Sequence, residues 1–111
     1  MTSIEEVTDA LVAFRDERDW RQFHDSRNLA LAIAIEAAEL NELFLWSKGE
    51  GEEVDQARLR DELADVFAFA LMLAERHDID VCDMILEKIE KNSEKYPVEK
   101  SKGTSTKYTE L

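Results

Sequence analysis

The sequence is poor in chain breakers: 111 residues carry three glycines and a single proline. That scarcity excludes a turn-rich all-β design, in which reversals draw on glycine, proline and asparagine. The one cysteine, Cys82, excludes an internal disulfide framework and reads as a small packing residue. No apolar run reaches the roughly 18 residues of a membrane span, and no apolar leader segment stands at the N-terminus, so the expected setting is cytoplasmic, with no membrane partner. Basic residues are also outnumbered, 14 Lys and Arg against 26 Asp and Glu, for a net charge of -12. A field of that sign repels phosphate polymers and argues against a nucleic-acid partner. A smaller phosphate ligand must then be held by local cations or a metal, because no glycine-rich phosphate loop exists in the sequence.

What is present is helical periodicity. Apolar residues recur at three- and four-residue steps almost throughout, which makes the chain all-α. The first helix runs from Thr2 or Ser3 to Arg18, with Ser3 as cap, Glu6 three residues on, and Ile4, Val7, Leu11 and Phe14 on one stripe. A connector, "RDWRQFHDS", leads to Asp25 or Ser26, either able to cap a second helix that reaches Trp46. The polar, glycine-bearing "SKGEGEEVD" then reads as a loop. Helix three spans Asp55 to His77 and helix four Val81 to Tyr96, with Asp80 as cap and Pro97 just beyond the end. Residues 98–111 lack an apolar period and read as a polar tail that orders only against something else, leaving 1–97 as one helical domain. Helix two is apolar on nearly every side from Leu29 to Ile35, more than three short neighbours can cover. The expected architecture is therefore an antiparallel four-helix bundle-type protomer that assembles with further copies of itself.

Acids interrupt the apolar faces in a regular way. At about 100° per residue, Glu36 shares a stripe with Leu29, Ala32, Ile33, Leu40 and Leu43, and Glu39 lies about 60° to one side, toward Trp46. Glu42 points elsewhere and reads as a solvated charge. Helix three repeats the spacing: Glu62 and Asp65 share a stripe with Leu59, Val66, Phe69 and Leu73. If the two faces meet, four carboxylates converge, and they cannot all stay ionised without a counter-charge. A hard divalent cation supplies it; carboxylate oxygens suit Mg²⁺ or Mn²⁺. A bundle-type di-iron centre needs Glu-x-x-His on two helices, and neither His24 nor His77 follows a glutamate by three. The bland alternative is two solvated acidic faces.

Carboxylate-held metals that remain open to ligands commonly serve phosphoryl chemistry. Lys88, Asn92, Lys95 and Tyr96 recur along one side of helix four and offer cationic and hydrogen-bonding groups for a triphosphate, or simply complement the helix dipole. Trp20, Phe23, Trp46 and Phe69 offer faces on which a base can stack, or ordinary core packing.

Three segments, "ERDWRQFHDSRNLALAIAIEAAELNELFLW", "DELADVFAFAL" and "KIEKNSEKYPVEKSKGTSTKYTEL", resemble the all-α nucleoside triphosphate pyrophosphohydrolases of the MazG-like superfamily, most closely the dCTP pyrophosphatases. The resemblance covers nearly the whole chain. It implies Mg²⁺-dependent cleavage between the α- and β-phosphates, giving a nucleoside monophosphate and pyrophosphate, with dCTP or modified dCTP as the expected substrate and removal of unwanted nucleotides as the role. It further implies that Glu36, Glu39, Glu62 and Asp65 are the metal ligands and catalytic acids, one of the first pair orienting or deprotonating the attacking water. Trp20, Gln22, Phe23, His24 and Trp46 match positions that enclose base and sugar. Lys88, Asn92, Lys95 and Tyr96 match the part of the motif associated with phosphate, completed from a neighbouring subunit of a dimer or a dimer of dimers.

The chain departs from the dCTP-specific pattern in three places. Phe69 stands where a tyrosine is usual, Leu11 where a polar contact can stand, and the inter-helix loop is shorter. Those departures bear on base selectivity rather than on the reaction, since discrimination rests on satisfied hydrogen bonds to the base edge. Two other readings are a non-catalytic helical interaction module, whose acids serve solubility, and a phosphoribosyl-ATP pyrophosphohydrolase, which shares the chemistry but not the aromatic connector.

Overall fold

The computed structural model of the chain describes residues 2–46 and 54–111. Among them are five α-helices and no strand: α1 (Ile4–Glu17), α2 (Ser26–Glu42), α3 (Gln56–Arg76), α4 (Val81–Lys95) and a short α5 (Val98–Ser101). Single 3₁₀ turns lie at Arg21–Phe23 and Tyr108–Glu110. Two compact units result, Met1–Ile79 and Asp80–Leu111.

Helix starts follow from the caps. The Ser3 hydroxyl accepts from the Glu6 amide at 3.1 Å, Asp25 from Asn28 at 2.8 Å, Asp55 from Ala57 and Arg58 at 3.0 and 3.2 Å, and Asp80 from Asp83 at 2.9 Å. Each satisfies an amide that a helix start leaves without an internal partner. The ends of α1 and α3 are built alike. Asp19 and Asp78 adopt the left-handed conformation, with φ of 55° and 53°, and the next residue donates back into the helix: Trp20 to the Arg15 carbonyl at 3.1 Å, Ile79 to that of Ala74 at 2.9 Å. This closing turn commonly carries glycine; aspartate tolerates it better than most residues do, which fits a chain with few glycines.

The first unit is organised around α3. α2 packs along it over the longer interface and α1 packs on it over a shorter one. The Ser26 hydroxyl at the start of α2 lies 2.7 Å from Nε2 of His77 at the end of α3, and the Arg76 guanidinium donates to the His24 carbonyl at 3.3 Å. Since acids from the middles of the two helices also meet, α2 and α3 run antiparallel. The stripe expected on α2 is the inward one: Leu29 is buried at 2 % exposure, and Ala32, Ile33, Glu36, Leu40 and Leu43 are half-buried. On α3, Leu59, Glu62, Val66, Phe69 and Leu73 are half-buried beside the buried Met72 and Ala74. The opposite faces leave Leu31, Ile35, Leu63 and Phe67 exposed.

Two expectations change. α2 ends at Glu42 rather than Trp46, because Leu43, Phe44 and Leu45 donate three residues back instead of four, and Trp46 turns left-handed at φ 65°. The loop expected over "SKGEGEEVD" lies outside the described residues except for Val54 and Asp55. Residues 98–111 are not featureless: besides α5 and the terminal 3₁₀ turn, Tyr108 packs edge-on against Tyr96 with ring centres 5.9 Å apart, under the Lys95 ammonium at 4.8 Å.

Candidate functional site

The two acid pairs meet. Glu36 from α2 and Glu62 and Asp65 from α3 each bring one carboxylate oxygen to within 4.8 Å of the others. Glu39, one turn along α2 from Glu36, stands near enough that its carboxyl raises the pKa of both Glu36 and Glu62. The i, i+3 spacing produces this, because it places two acids of one helix on adjoining turns of the face it turns to its neighbour.

Electrostatics mark the cluster as incomplete. Burial, and then the Glu39 carboxyl with Asp65 and Glu62 behind it, push Glu36 up to about 7. Burial and the same Glu39 raise Glu62, opposed only by Arg58. One oxygen of each, Oε2 of Glu36 and Oε2 of Glu62, is buried without a hydrogen-bond partner. Buried acceptors without partners are costly, and converging acids repel. A divalent cation answers both, and the donor set is hard oxygen throughout. The residues present therefore fit such an ion.

Beside the acids, α1 and α3 line an open cavity of about 620 Å³ whose wall includes Asp65 itself. Phe14, Trp20, His24 and Phe69 form a chain of tilted and edge-on aromatic neighbours along it, with ring centres 5.8, 6.5 and 6.2 Å apart. Trp20 is set there by the closing turn of α1. Its neighbour His24 is held by burial, and secondarily by Arg15, below its ordinary pKa, so the ring is neutral at pH 7; its Nδ1 is buried with no partner. Leu11 and Met72 supply apolar wall.

Not every expected residue lies on that wall. Gln22 spends its amide on Asp19, donating to the carbonyl at 3.0 Å and the carboxylate at 3.1 Å. Phe23 is exposed, its carbonyl taken by Asn28 at 3.0 Å, and Trp46 is 92 % exposed beyond the end of α2. Lys88, Asn92, Lys95 and Tyr96 are exposed residues of the second unit, on α4 and at its C-cap.

One wall residue was not anticipated. Arg15 is buried at 6 % exposure, donating from Nε to Asp16 at 2.9 Å and from Nη1 to Glu75 at 3.4 Å. Asp16, held below the usual carboxylate range by Arg15, and Glu75 fix the guanidinium as a charged group on an otherwise apolar wall. The signal was in the sequence: Arg15 stands four residues after Leu11, inside the apolar stripe, just as Glu36 interrupts the stripe of α2.

The sequence profile of the MazG-like family matches residues 31–111. The chain is similar to dCTP pyrophosphatase 1 of Rattus norvegicus, 39 % identical over 98 % of this chain and 68 % of that protein, and to dCTP pyrophosphatase 1 of Homo sapiens, 40 % identical over the same shares. The crystal structure of a pyrophosphatase from Archaeoglobus fulgidus superposes with a TM-score of 0.81 at 37 % identity, covering 87 % of this chain and 94 % of that one.

Proposed function

Because the chain belongs to the MazG-like family, we propose that it is a nucleoside triphosphate pyrophosphohydrolase acting on dCTP or a modified dCTP, with Mg²⁺ as its metal and Mn²⁺ as a substitute. The observation that carries this reading is the convergence of acids from α2 and α3, two of them with a buried carboxylate oxygen lacking a partner, and one of the group, Asp65, also lining an aromatic-walled cavity. A non-catalytic interaction module gives way to it, since the similar proteins are pyrophosphatases.

Glu36, Glu39, Glu62 and Asp65 would hold the cation. When bound, it neutralises triphosphate charge and polarises the phosphorus for attack. The protein's own groups do the rest. Trp20, His24 and Phe69, which line the same cavity as Asp65, would receive the base, with the phosphates beside Asp65. A glutamate of the first pair orients the attacking water and takes its proton as the water oxygen bonds to the α-phosphorus. The bond from that phosphorus to the bridging oxygen breaks, and the electron pair leaves with pyrophosphate. The apolar wall keeps other water away from the reacting groups. Lys88, Asn92, Lys95 and Tyr96 are proposed as phosphate contacts and Gln22, Phe23 and Trp46 as further contacts to base or sugar, completed by a second copy of the chain. The exposed apolar side chains of Leu31, Ile35, Leu63 and Phe67 support a homo-oligomer, dimer or tetramer, in which a second copy would cover them. The reading places the enzyme in the cytoplasm, clearing unwanted nucleotides from the pool.

A pyrophosphate-release assay over the common and 5-modified nucleoside triphosphates, with phosphoribosyl-ATP alongside, tests the proposal. Release from a cytosine deoxynucleotide is expected, and none from any triphosphate would end it.

A further inference from the structure

We infer that Arg15 is a specificity-determining residue, its guanidinium donating to the adjacent N3 and O2 acceptors of a cytosine seated in the cavity and so selecting cytosine over uracil. The inference rests on the proposed nucleotide activity and deepens it by naming what reads the base.

Three observations meet on this side chain. First, position. The cavity wall runs along α3 from Asp65 toward Met72, and Arg15 bonds to Glu75, ten residues or about 15 Å of helix from Asp65. A nucleotide with its phosphates at the acids therefore directs its base toward Arg15. Second, fixation. Nε is held by Asp16 and Nη1 by Glu75, whose side chains lie at the protein surface, 50 % and 39 % exposed, while the Arg15 side chain is 7 % exposed. These contacts hold the fork in one orientation and leave Nη2 and one Nη1 hydrogen for a ligand. Third, contrast. Among the described residues of the cavity wall, Arg15 is the one Lys or Arg; Val7, Leu11, Phe14, Phe67 and Met72 around it offer no side-chain hydrogen bond. A buried donor on such a wall gains most from a ligand that satisfies it.

A guanidinium has donors only. Cytosine offers N3 and O2 as neighbouring acceptors, which a fork can bond together. Uracil and thymine carry a hydrogen on N3, so the same approach sets donor against donor. His24, neutral and with Nδ1 unpartnered, is a second polar group on the same wall and can adopt the tautomer that suits the bound base.

Arg15→Met keeps the bulk of the side chain and removes the fork; Arg15→Lys keeps the charge and removes the fork. Turnover of dCTP and dUTP is measured for both and for the parent protein with Mg²⁺, and folding is followed by circular dichroism. The parent protein is expected to favour dCTP, and each variant to lose about tenfold or more of the dCTP to dUTP ratio in kcat/KM, the loss falling on dCTP. An unchanged ratio, an equal loss on both substrates, or a parent protein with no preference would overturn the role of Arg15 while leaving the pyrophosphohydrolase intact. Absence of turnover on every triphosphate would instead overturn the activity on which it rests. If Arg15→Met does not fold, Arg15→Lys decides by the same ratio.

Discussion

The Ser26 hydroxyl, on the first residue of α2, lies 2.7 Å from Nε2 of His77, which caps the end of α3. The contact joins residues 51 apart in sequence and ties together the ends of the two helices whose middles carry the acids. With Arg76 bonded to the His24 carbonyl beside it, this end of the helix pair helps hold the register that brings Glu36 opposite Glu62 and Asp65. Ser26→Ala should cost about 0.5–1 kcal/mol in denaturant titrations, the range of one partly exposed hydrogen bond.

Removing a carboxylate should separate stability from activity. Glu39→Gln and Asp65→Asn take a charge from a cluster whose members repel, so in chelator the variants should melt at a higher temperature than the parent protein. With Mg²⁺ the same variants should lose about 100-fold or more in kcat, as expected when an electrostatic group at the reacting centre is removed. Melting curves in chelator and pyrophosphate release read the two effects independently; a variant that is both less stable and fully active contradicts the assignment.

Glu36 gives the cluster a pH signature. Its carboxyl stands at about 7 in the folded chain against an ordinary 4.5, so between those values the folded state holds a proton that the unfolded state has released. The stabilisation is complete below pH 4.5 and is lost as pH rises through 7. Metal-free protein should thus lose stability across that window, and Glu36→Gln should flatten the loss. Divalent cation binding at pH 6 should release protons, seen by titration calorimetry as heats that differ between buffers of different ionisation enthalpy.

Trp20→Ala should raise KM by about tenfold with a smaller change in kcat, because one aromatic face is worth about 1–3 kcal/mol to a base stacked on it. Trp20 also packs edge-on against Phe14, so circular dichroism should accompany the kinetics to establish that α1 is intact.

Much of this arrangement was legible in the sequence. Ser3, Asp25 and Asp80 announce their helices by type and position, Asp55 stands at the residue where α3 begins, and Glu36 is found because it falls on the stripe of Leu29 and Ile33, a face that would otherwise bury nothing charged. Where reading failed, the cause is tertiary or local geometry that composition does not encode. Leu43 to Trp46 are as helical in type as the residues before them, yet the backbone tightens there. Tyr108 lies twelve positions from Tyr96, and no periodic pattern links them. Arg15 interrupts a stripe as plainly as Glu36 does, but one arginine without a second at helical spacing looks like any surface cation until Asp16 and Glu75 are seen to hold it.

The acid cluster and the cavity beside it draw on different helices: the acids come from α2 and α3, while Leu11, Phe14 and Arg15 of the cavity wall come from α1, with Asp65 common to both. Under the proposed function, bond cleavage and choice of base therefore rest on different helices. On that reading, substitutions along α1 would change which nucleotide is discarded without touching the acids that cut it.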